Sequence, residues 1–305
     1  MFKNVMMYRM LSAWTQTAVA LETALEEGRF AECGASQEKS VGWVPPRGEE
    51  HGPLLEVVSG QWMLKLMVEV KVLPGTVVKR KAQEQLQHIE ASTGRKPGKK
   101  EAREVLEDVR LSLLPMAFTK QSTVLVWIDP QSQRLVLDAG SQARADEVMT
   151  CLIKAIDGLA VQLINTQMSP AAAMAIWLST KEAPQSFSVD RECELKAADE
   201  SKAVVRYTRH PLDTDEVSAH IAAGKMPTKL ALTWNDHVSF VLTESMQLKK
   251  VAVLDVVFEG VGSAGDSKED EFDTDVAIAT GELRKLIPDL MEALGGEVNA
   301  ALAAG

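Results

Sequence analysis

Residues 76–118 have the sequence TVVKRKAQEQLQHIEASTGRKPGKKEAREVLEDVRLSLLPMAF, and this segment decides how the fold is interpreted. Its first half places apolar residues from Val78 to Ile89 at helical spacings, and its second half does the same from Ala102 to Leu113. Such narrow apolar stripes are typical of amphipathic helices that bury one seam and leave their other faces in water. Between them stands the turn GRKPG, residues 94–98, whose glycines and proline break helices. We therefore predict a protruding helical hairpin, called the arm below.

The arm differs in charge from the chain that carries it. The 305 residues have a formal net charge of −10, yet residues 76–120 contain ten Lys and Arg against six acids, and residues 254–305 contain three against twelve. On a helical wheel the second helix of the arm separates its charges onto two flanks, with Lys99, Arg103 and Arg110 opposite Glu101, Glu104 and Asp108. Because binding responds to local potential, such a chain can present a basic surface to an anionic partner. The alternative interpretation is a solvated helical pair without a partner.

Strand and helix patterns alternate through the rest of the chain. Hairpins are predicted around Ser59-Gly60 and over residues 122–140, with Pro130 in the second turn, and residues 228–234 alternate as a strand. Asp213 and Glu216 suggest a capping pair at the start of a helix. Residues 259–275 predict an acidic loop, and residues 281–294 a final amphipathic helix. The fold class is therefore α+β, with mostly antiparallel sheets, packed helices and the protruding helical hairpin arm.

We expect three regions in this fold. They are a central α+β region of residues 1–75 and 119–165, the arm or tip of residues 76–118, and a C-terminal α+β region, the base, of residues 166–305.

Composition predicts a cytoplasmic globular protein. Apolar residues make up 46% of the chain and charged residues 25%, which suffices for a hydrophobic core without cross-links. Cys33, Cys151 and Cys193 lie far apart and are odd in number, so we expect a reducing compartment and no disulfide framework. The N-terminal apolar run is interrupted by Arg9 and lacks the features of a signal peptide. No run of about 18 apolar residues occurs, so no membrane association is expected.

No catalytic constellation is evident in the sequence. Residues 260–265, GVGSAG, match G-x-G-x-x-G literally, but acidic residues follow where a helix should open toward a pyrophosphate. Walker A, HExxH and G-x-S-x-G motifs are missing, and the histidines and cysteines have no metal-ligand spacing. A set of carboxylates could still gather a cation for a metal-dependent nuclease: Asp266, Glu269, Asp270, Asp273 and Asp275. We interpret them as a solvated acidic loop, and we expect no enzyme activity, cofactor or metal.

Several short motifs occur in a fixed order along the chain. They are FKNVMMYR at 2–9, CG at 33–34, GWVPP at 42–46, SLLPMAF at 112–118, WID at 127–129, TKLALTW at 228–234, TGEL at 280–283 and LGGE at 294–297. With these motifs the sequence resembles the bacterial recombination-associated RdgC family over essentially its whole length.

The resemblance implies a sequence-nonspecific DNA-binding protein associated with the nucleoid. It implies a homodimer closed into a ring by two contacts, with a basic inner surface around double-stranded DNA, and with single-stranded DNA as a further ligand. It also implies inhibition of RecA-driven DNA recombination by occupation of the DNA. Phe118 would lie in or near a dimer contact, and Arg95 matches a basic position of the tip. Arg209 and His210 depart from a Lys-Gln pair associated with the family.

The DNA-binding candidates combine the basic residues of the arm with those of the base. They are Lys79, Arg80, Lys81, Arg95, Lys96, Lys99, Lys100, Arg103, Arg110, Lys120, Arg206, Arg209, His210, Lys225 and Lys229. Cations on one wall would contact phosphates and need no base-reading motif, as nonspecific binding requires. The alternatives are a protein-binding module whose arm docks an acidic partner, and the metal-dependent nuclease.

Overall fold

The structure is a computed structural model that describes residues 1–259 and 268–298. Within these residues twelve strands pair into one sheet, and every named strand pair is antiparallel. The strands are β1 (Asn4–Met10), β2 (Lys39–Val44), β3 (Leu55–Val58), β4 (Gln61–Val72), β5 (Phe118–Asp129), β6 (Arg134–Asp138), β7 (Val161–Leu163), β8 (Phe187–Ala197), β9 (Val204–Thr208), β10 (Lys225–Trp234), β11 (Val238–Thr243) and β12 (Leu248–Val253). The helices are α1 (Ala18–Glu26), α2 (Gly75–Thr93), α3 (Lys99–Leu113), α4 (Gln142–Ala155), α5 (Pro170–Thr180), α6 (Asp215–Ala222) and α7 (Lys268–Ala293).

Strand β1 joins the two halves of the sheet. The strand order is β2-β4-β5-β6-β1-β12-β11-β10-β8-β9, with β3 on the edge of β4 and β7 on the edge of β1. Pairing of Asn4 with Lys249 connects the first strand to the twelfth. The α+β class with mostly antiparallel pairing is confirmed, and the strands form a single sheet. The joining of its two halves could not be predicted, because a contact between residues so distant in sequence leaves no local pattern.

The sheet carries one hydrophobic core on each face. Along β1, Val5 and Met7 point into one core, whereas Met6, Tyr8 and Met10 point into the other, as the alternation of a strand requires. Helices α5, α6 and α7 cover the first face, and α1 and α4 cover the second. Because both faces are covered, strands such as β1 carry apolar residues on both sides instead of a strict apolar–polar alternation.

The predicted arm is confirmed as a helical hairpin. Helix α2 follows the end of β4, and α3 returns to the start of β5 through a short 3₁₀ turn, Leu114–Met116. Val78, Ala82, Val105 and Val109 form a small buried cluster between the two helices. Gly94 ends α2 in the left-handed region at φ 69°, where glycine meets no steric penalty. The arm thus has its own narrow seam, separate from the two sheet cores.

Two local predictions are wrong. The acidic loop predicted at 259–275 is wrong for residues 268–275, because α7 begins at Lys268 and runs to Ala293 without a break. Helix formers from Lys268 onward, with acids near the helix start, favour this extension. The N-cap of α6 is Thr214 and not Asp213, so Glu216 lies in the first turn. The GVGSAG motif lies outside the described residues.

None of the described helices is both long and apolar enough to cross a membrane.

Candidate nucleic-acid interface

A groove opens where the arm leaves the sheet, and we call it the arm-root groove. Its volume is about 470 Å³, and β2, β4, α2 and α3 supply its walls. Both apolar and basic side chains line the groove. The residues that line it are Glu38, Lys39, Val70, Lys71, Leu73, Gly75, Val78, Lys79, Leu106, Glu107, Arg110 and Leu114. Of the DNA-binding candidates, Lys79 and Arg110 are brought together here.

The cations of the arm-root groove differ in how firmly they are held. Arg110 donates from Nε and Nη2 to the two carboxylate oxygens of Glu38, at 2.6 and 2.9 Å. Lys71 Nζ donates to the carbonyl oxygen of Leu114 at 3.1 Å, and Lys39 forms an ion pair with Glu147 outside the groove. Lys79 is exposed and has no ion-pair partner among the described residues. The groove therefore contains two cations, Lys71 and Lys79, without an ion-pair partner among the described residues, beside an arginine whose carboxylate partner is half-exposed.

Sequence reasoning missed Lys39 and Lys71, the other two cations of this groove. Lys71 stands near the end of β4, on the same side of the strand as Glu69 and Lys65. This alternation is typical of a strand, but it does not tell which surface of the protein Lys71 faces. A signal existed, because Lys71 directly precedes the arm in the sequence and pairs with Thr119 directly after it. Extending the basic segment by a few residues would have included Lys71. Lys39 reaches the groove only through the pairing of β2 with β4.

The other arm candidates are exposed, and several form ion pairs within the arm. Arg95 donates to Glu101 at 2.7 and 3.1 Å, which lowers the pKa of that carboxyl. The remaining pairs are Lys81 with Glu84 at 2.9 Å, Arg80 with Glu84 at 4.0 Å and Lys100 with Glu104 at 3.8 Å. Lys96, Lys99, Arg103 and Lys120 have no ion-pair partner in the described part of the chain. Exposed pairs of this kind are weak, so a phosphate can compete for the cation.

A second basic cluster lies in the base, and Glu194 organises it. Arg206 of β9 approaches Glu194 at 2.6 Å from Nε, and Lys229 of β10 lies 3.2 Å from both of its carboxylate oxygens. The Arg206 hydrogen bond, with others from Thr228 and Lys229, lowers the pKa of Glu194 to about 2. One partly buried carboxylate on β8 thus holds two DNA-binding candidates on neighbouring strands.

The other candidates of the base stand near this cluster in sequence. Strand β9 ends at Thr208, and Arg209 follows with φ 56°, so the chain turns before His210. His210 Nδ1 lies 2.6 Å from the carbonyl oxygen of Pro211, and Lys225 Nζ lies 3.1 Å from Nδ1 of His220. In the strand order the arm leaves β4 and β5 near one end, whereas β9 is the opposite end. The two basic clusters are therefore at opposite ends of the sheet.

Phe118 is exposed at the root of the arm. It is the first residue of β5, it pairs with Val72 across β4, and its side chain is 87% exposed. Val72 is 46% exposed and Met116, two residues before Phe118, is 73% exposed. We call Val72, Met116 and Phe118 the arm-root apolar patch. Adjacent large apolar side chains in water are typical of interaction surfaces.

The carboxylates considered for a nuclease are not assembled in the described residues. No group of three or more His, Cys, Asp or Glu there could hold a metal ion. Asp273 instead accepts a hydrogen bond from Arg47 at 2.7 Å, and Arg47 also stacks on the ring of Phe272 at 4.7 Å. Asp266 and the side chains of Glu269 and Asp270 lie outside the described part of the structure.

Comparison with known proteins gives a consistent result over the chain. A family model described as "Putative exonuclease, RdgC" matches residues 1–297. Proteins named recombination-associated protein RdgC are similar throughout. The one from Dechloromonas aromatica is 45% identical over 300 residues, covering 97% of this chain and 98% of the relative. Those from Herminiimonas arsenicoxydans and Bordetella pertussis are 46% and 44% identical, with the same coverage.

Proposed function

Because the chain belongs to the RdgC family of recombination-associated proteins, we propose that it binds DNA without sequence preference and restrains recombination by occupying the duplex. The observation that carries this proposal is the arm-root groove, where Lys79 has no ion-pair partner among the described residues and Arg110 is held by an exposed carboxylate. A guanidinium already held in bidentate geometry by a carboxylate is arranged as a phosphate would require.

Nonspecific binding follows from the kind of residues that face solvent. Lys and Arg on the arm supply affinity by releasing counterions from DNA, and this contribution does not depend on base sequence. Phosphate contacts position a protein on DNA, whereas base-edge contacts specify a sequence. The candidates consist of Lys and Arg with a single His, and most lie on exposed helix or strand positions.

A homodimer closed into a ring is the arrangement that we propose for the bound state. The arm-root apolar patch supplies a surface that a second copy of the chain could cover, and Phe118 is its most exposed residue. The two basic clusters lie at opposite ends of the sheet, so two copies that contact at both ends would enclose a duplex between four clusters. Closure would keep the protein on DNA without tight contacts to any one site.

Antagonism of RecA and association with the nucleoid follow from occupancy of DNA. A protein that covers duplex DNA denies it to a recombination filament without touching the filament. This part of the proposal is tested by a strand-exchange assay with RecA. Inhibition should rise in parallel with the fraction of duplex bound, and inhibition by a variant that no longer binds DNA would contradict the occupancy model.

DNA binding itself is tested by titration of two unrelated duplexes and one single strand over a series of salt concentrations. We expect the two duplexes to give the same dissociation constant and the same steep dependence on salt, since several phosphates are contacted. A large preference for one duplex would contradict nonspecific binding. An absence of binding at low salt would favour the protein-binding alternative, in which the arm docks an acidic partner.

A metal-dependent nuclease remains the second candidate, because the matching family model is described as an exonuclease. Cleavage of labelled duplex that requires Mg²⁺ and disappears in Asp273→Asn would support it. In the binding model the wild type itself leaves DNA intact with Mg²⁺. The matched control for Asp273→Asn is Glu271→Gln on the same helix, which should cleave as the wild type does in the nuclease model.

A further inference from the structure

Three arginines meet at the junction between the central strands and the C-terminal helix. Arg9 lies on β1, Arg134 on β6 and Arg284 on α7, and two carboxylates of the described residues, Asp129 and Glu297, lie among them. We call these five residues the junction cluster. It lies apart from both the arm and the Glu194 cluster, and no step in DNA binding uses it.

Two of these arginines already form ion pairs within the protein, which use only part of the five N–H donors of each guanidinium. Arg9 donates to the carboxylate of Glu297 from Nε at 2.9 Å and from Nη2. Its Nη1 donates to the carbonyl oxygen of Ser132 at 2.6 Å. Arg284 contacts Asp129 from Nε at 3.0 Å and donates to Gln131 at 2.8 Å. Asp129 also accepts from Ser132, so both carboxylates are already engaged.

Arg134 is the exception. Its Nε is buried and has no hydrogen-bond partner among the described residues, and its Nη2 contacts only the sulfur of Met291 there, at 3.8 Å. Arg134 also pairs directly with Arg9 across two antiparallel strands, and like charges in that position are destabilising. Burial, and then the charge of Arg9, lower the pKa of Arg134, but an arginine remains protonated in proteins. An unneutralised guanidinium therefore stands half-buried beside a second one.

We propose that the junction cluster binds a phosphate-type oxyanion between Arg134, Arg9 and Arg284. Such an ion carries several acceptor oxygens and accepts from guanidinium forks in the way that these three residues can supply. It would neutralise the surplus positive charge of three arginines against two carboxylates. A cluster of this kind is unfavourable without the ion, because a buried polar group without a partner costs stability.

The bound ion would stabilise the junction between two parts of the chain. Arg9 and Arg134 belong to adjacent central strands. Arg284 and Met291 belong to α7, which covers the face of the sheet that contains Val5, Met7 and Val136. An ion that contacts all three arginines therefore links β1, β6 and α7. By linkage, a ligand of the folded state raises the melting temperature as its concentration rises.

The test is thermal unfolding of the full chain in inorganic phosphate and in chloride at equal ionic strength. We expect phosphate to raise the Tm of the wild type and to have no such effect on Arg134→Met. The control is Arg29→Met, because Arg29 forms an exposed ion pair with Glu26 far from the cluster, and it should respond as the wild type does. Equal shifts in the wild type and Arg134→Met would overturn the proposal, as would no shift in either.

Calorimetric titration with phosphate supplies a readout that does not depend on unfolding. The wild type should show saturable binding, and Arg134→Lys, which keeps the charge but loses the fork, should bind several-fold more weakly. Equal affinity in both would contradict a role for Arg134. A titration with duplex DNA distinguishes a free phosphate ion from a phosphate of the DNA backbone. Arg134→Met should weaken duplex binding only if the bound group is a backbone phosphate.

Discussion

Glu38 holds Arg110 in the arm-root groove by two hydrogen bonds, from Nε at 2.6 Å and from Nη2 at 2.9 Å. Glu38 directly precedes β2 and Arg110 lies on α3, 72 positions away, and both are about half exposed. In the proposed complex a DNA phosphate would accept the same two bonds. Glu38 would then compete with DNA for Arg110.

Removing that competitor should strengthen DNA binding. In Glu38→Gln the guanidinium no longer faces a charged partner, and we expect duplex affinity to rise a few-fold, since an exposed pair contributes about 1 kcal/mol or less. Fluorescence anisotropy at low salt measures the change. Glu26→Gln is the control, because Glu26 grips Arg29 in the same bidentate way outside the groove. A weaker complex in Glu38→Gln would show that the carboxylate positions Arg110 for DNA.

Phe118→Ser should dissociate the proposed dimer. Burial of a phenylalanine contributes about 2 kcal/mol, so loss of one from each copy should raise the dimer dissociation constant at least about tenfold. Sedimentation velocity over a concentration series measures it. The control is Val19→Ser on α1, which removes an apolar side chain that is 79% exposed away from the arm. If both variants sediment like the wild type, Phe118 lies outside any dimer contact.

Gly42 of the GWVPP motif is required by close backbone packing. A Cβ at this position would lie 2.4 Å from Cα and 2.6 Å from the nitrogen of Phe30, both of which are backbone atoms that cannot rotate away. We expect Gly42→Ala to lower the free energy of unfolding by about 3 kcal/mol. Chemical denaturation measures this loss. Gly281→Ala, in α7 with no neighbour within 4 Å, should be neutral or slightly stabilising.

Glu194 should make stability sensitive to acid. Its pKa in the folded state is about 2, below its usual value of 4.5, so its contribution is present above pH 4.5 and is lost as the pH falls from 4.5 toward 2. Glu194→Gln should remove about 1 kcal/mol of this pH dependence, because Arg206 and Lys229 are partly exposed and screened. Denaturation as a function of pH tests it, with the exposed Glu200→Gln as control. If the stability of Glu194→Gln falls below pH 4.5 as much as that of the wild type, Glu194 is not the source of this pH dependence.

Local patterns predicted the elements of this fold better than their assembly. The arm was predicted because its seam, from Val78 to Val109, repeats at helical spacing within one segment. The single sheet was not, because it depends on the pairing of Asn4 with Lys249, which no short window of sequence contains. The start of α7 was missed because Gly, Ser and Asp before Lys268 are typical of a loop, and that composition masked the helix formers that follow.

The residues of the candidate site could likewise be predicted from local sequence, whereas their partners could not. The charge of the arm identified Lys79 and Arg110, which line one groove. Their different electrostatic states could not be predicted, because the partner of Arg110 is Glu38, 72 positions away in the sequence. Likewise, Arg206 and Lys229 were singled out as basic residues, but their shared partner Glu194 is recognised only once β8 lies between β9 and β10.

The most direct test of the proposed function is the salt dependence of duplex binding in Lys79→Ala. The slope of log affinity against log salt falls by about 0.9 for each phosphate contact that is lost. We expect a steep slope for the wild type, a slope shallower by about one contact for Lys79→Ala on two unrelated duplexes, and no change for Lys154→Ala, an exposed lysine of α4 outside the groove. A flat slope for the wild type, or identical slopes for Lys79→Ala and Lys154→Ala, would contradict DNA binding at the arm-root groove.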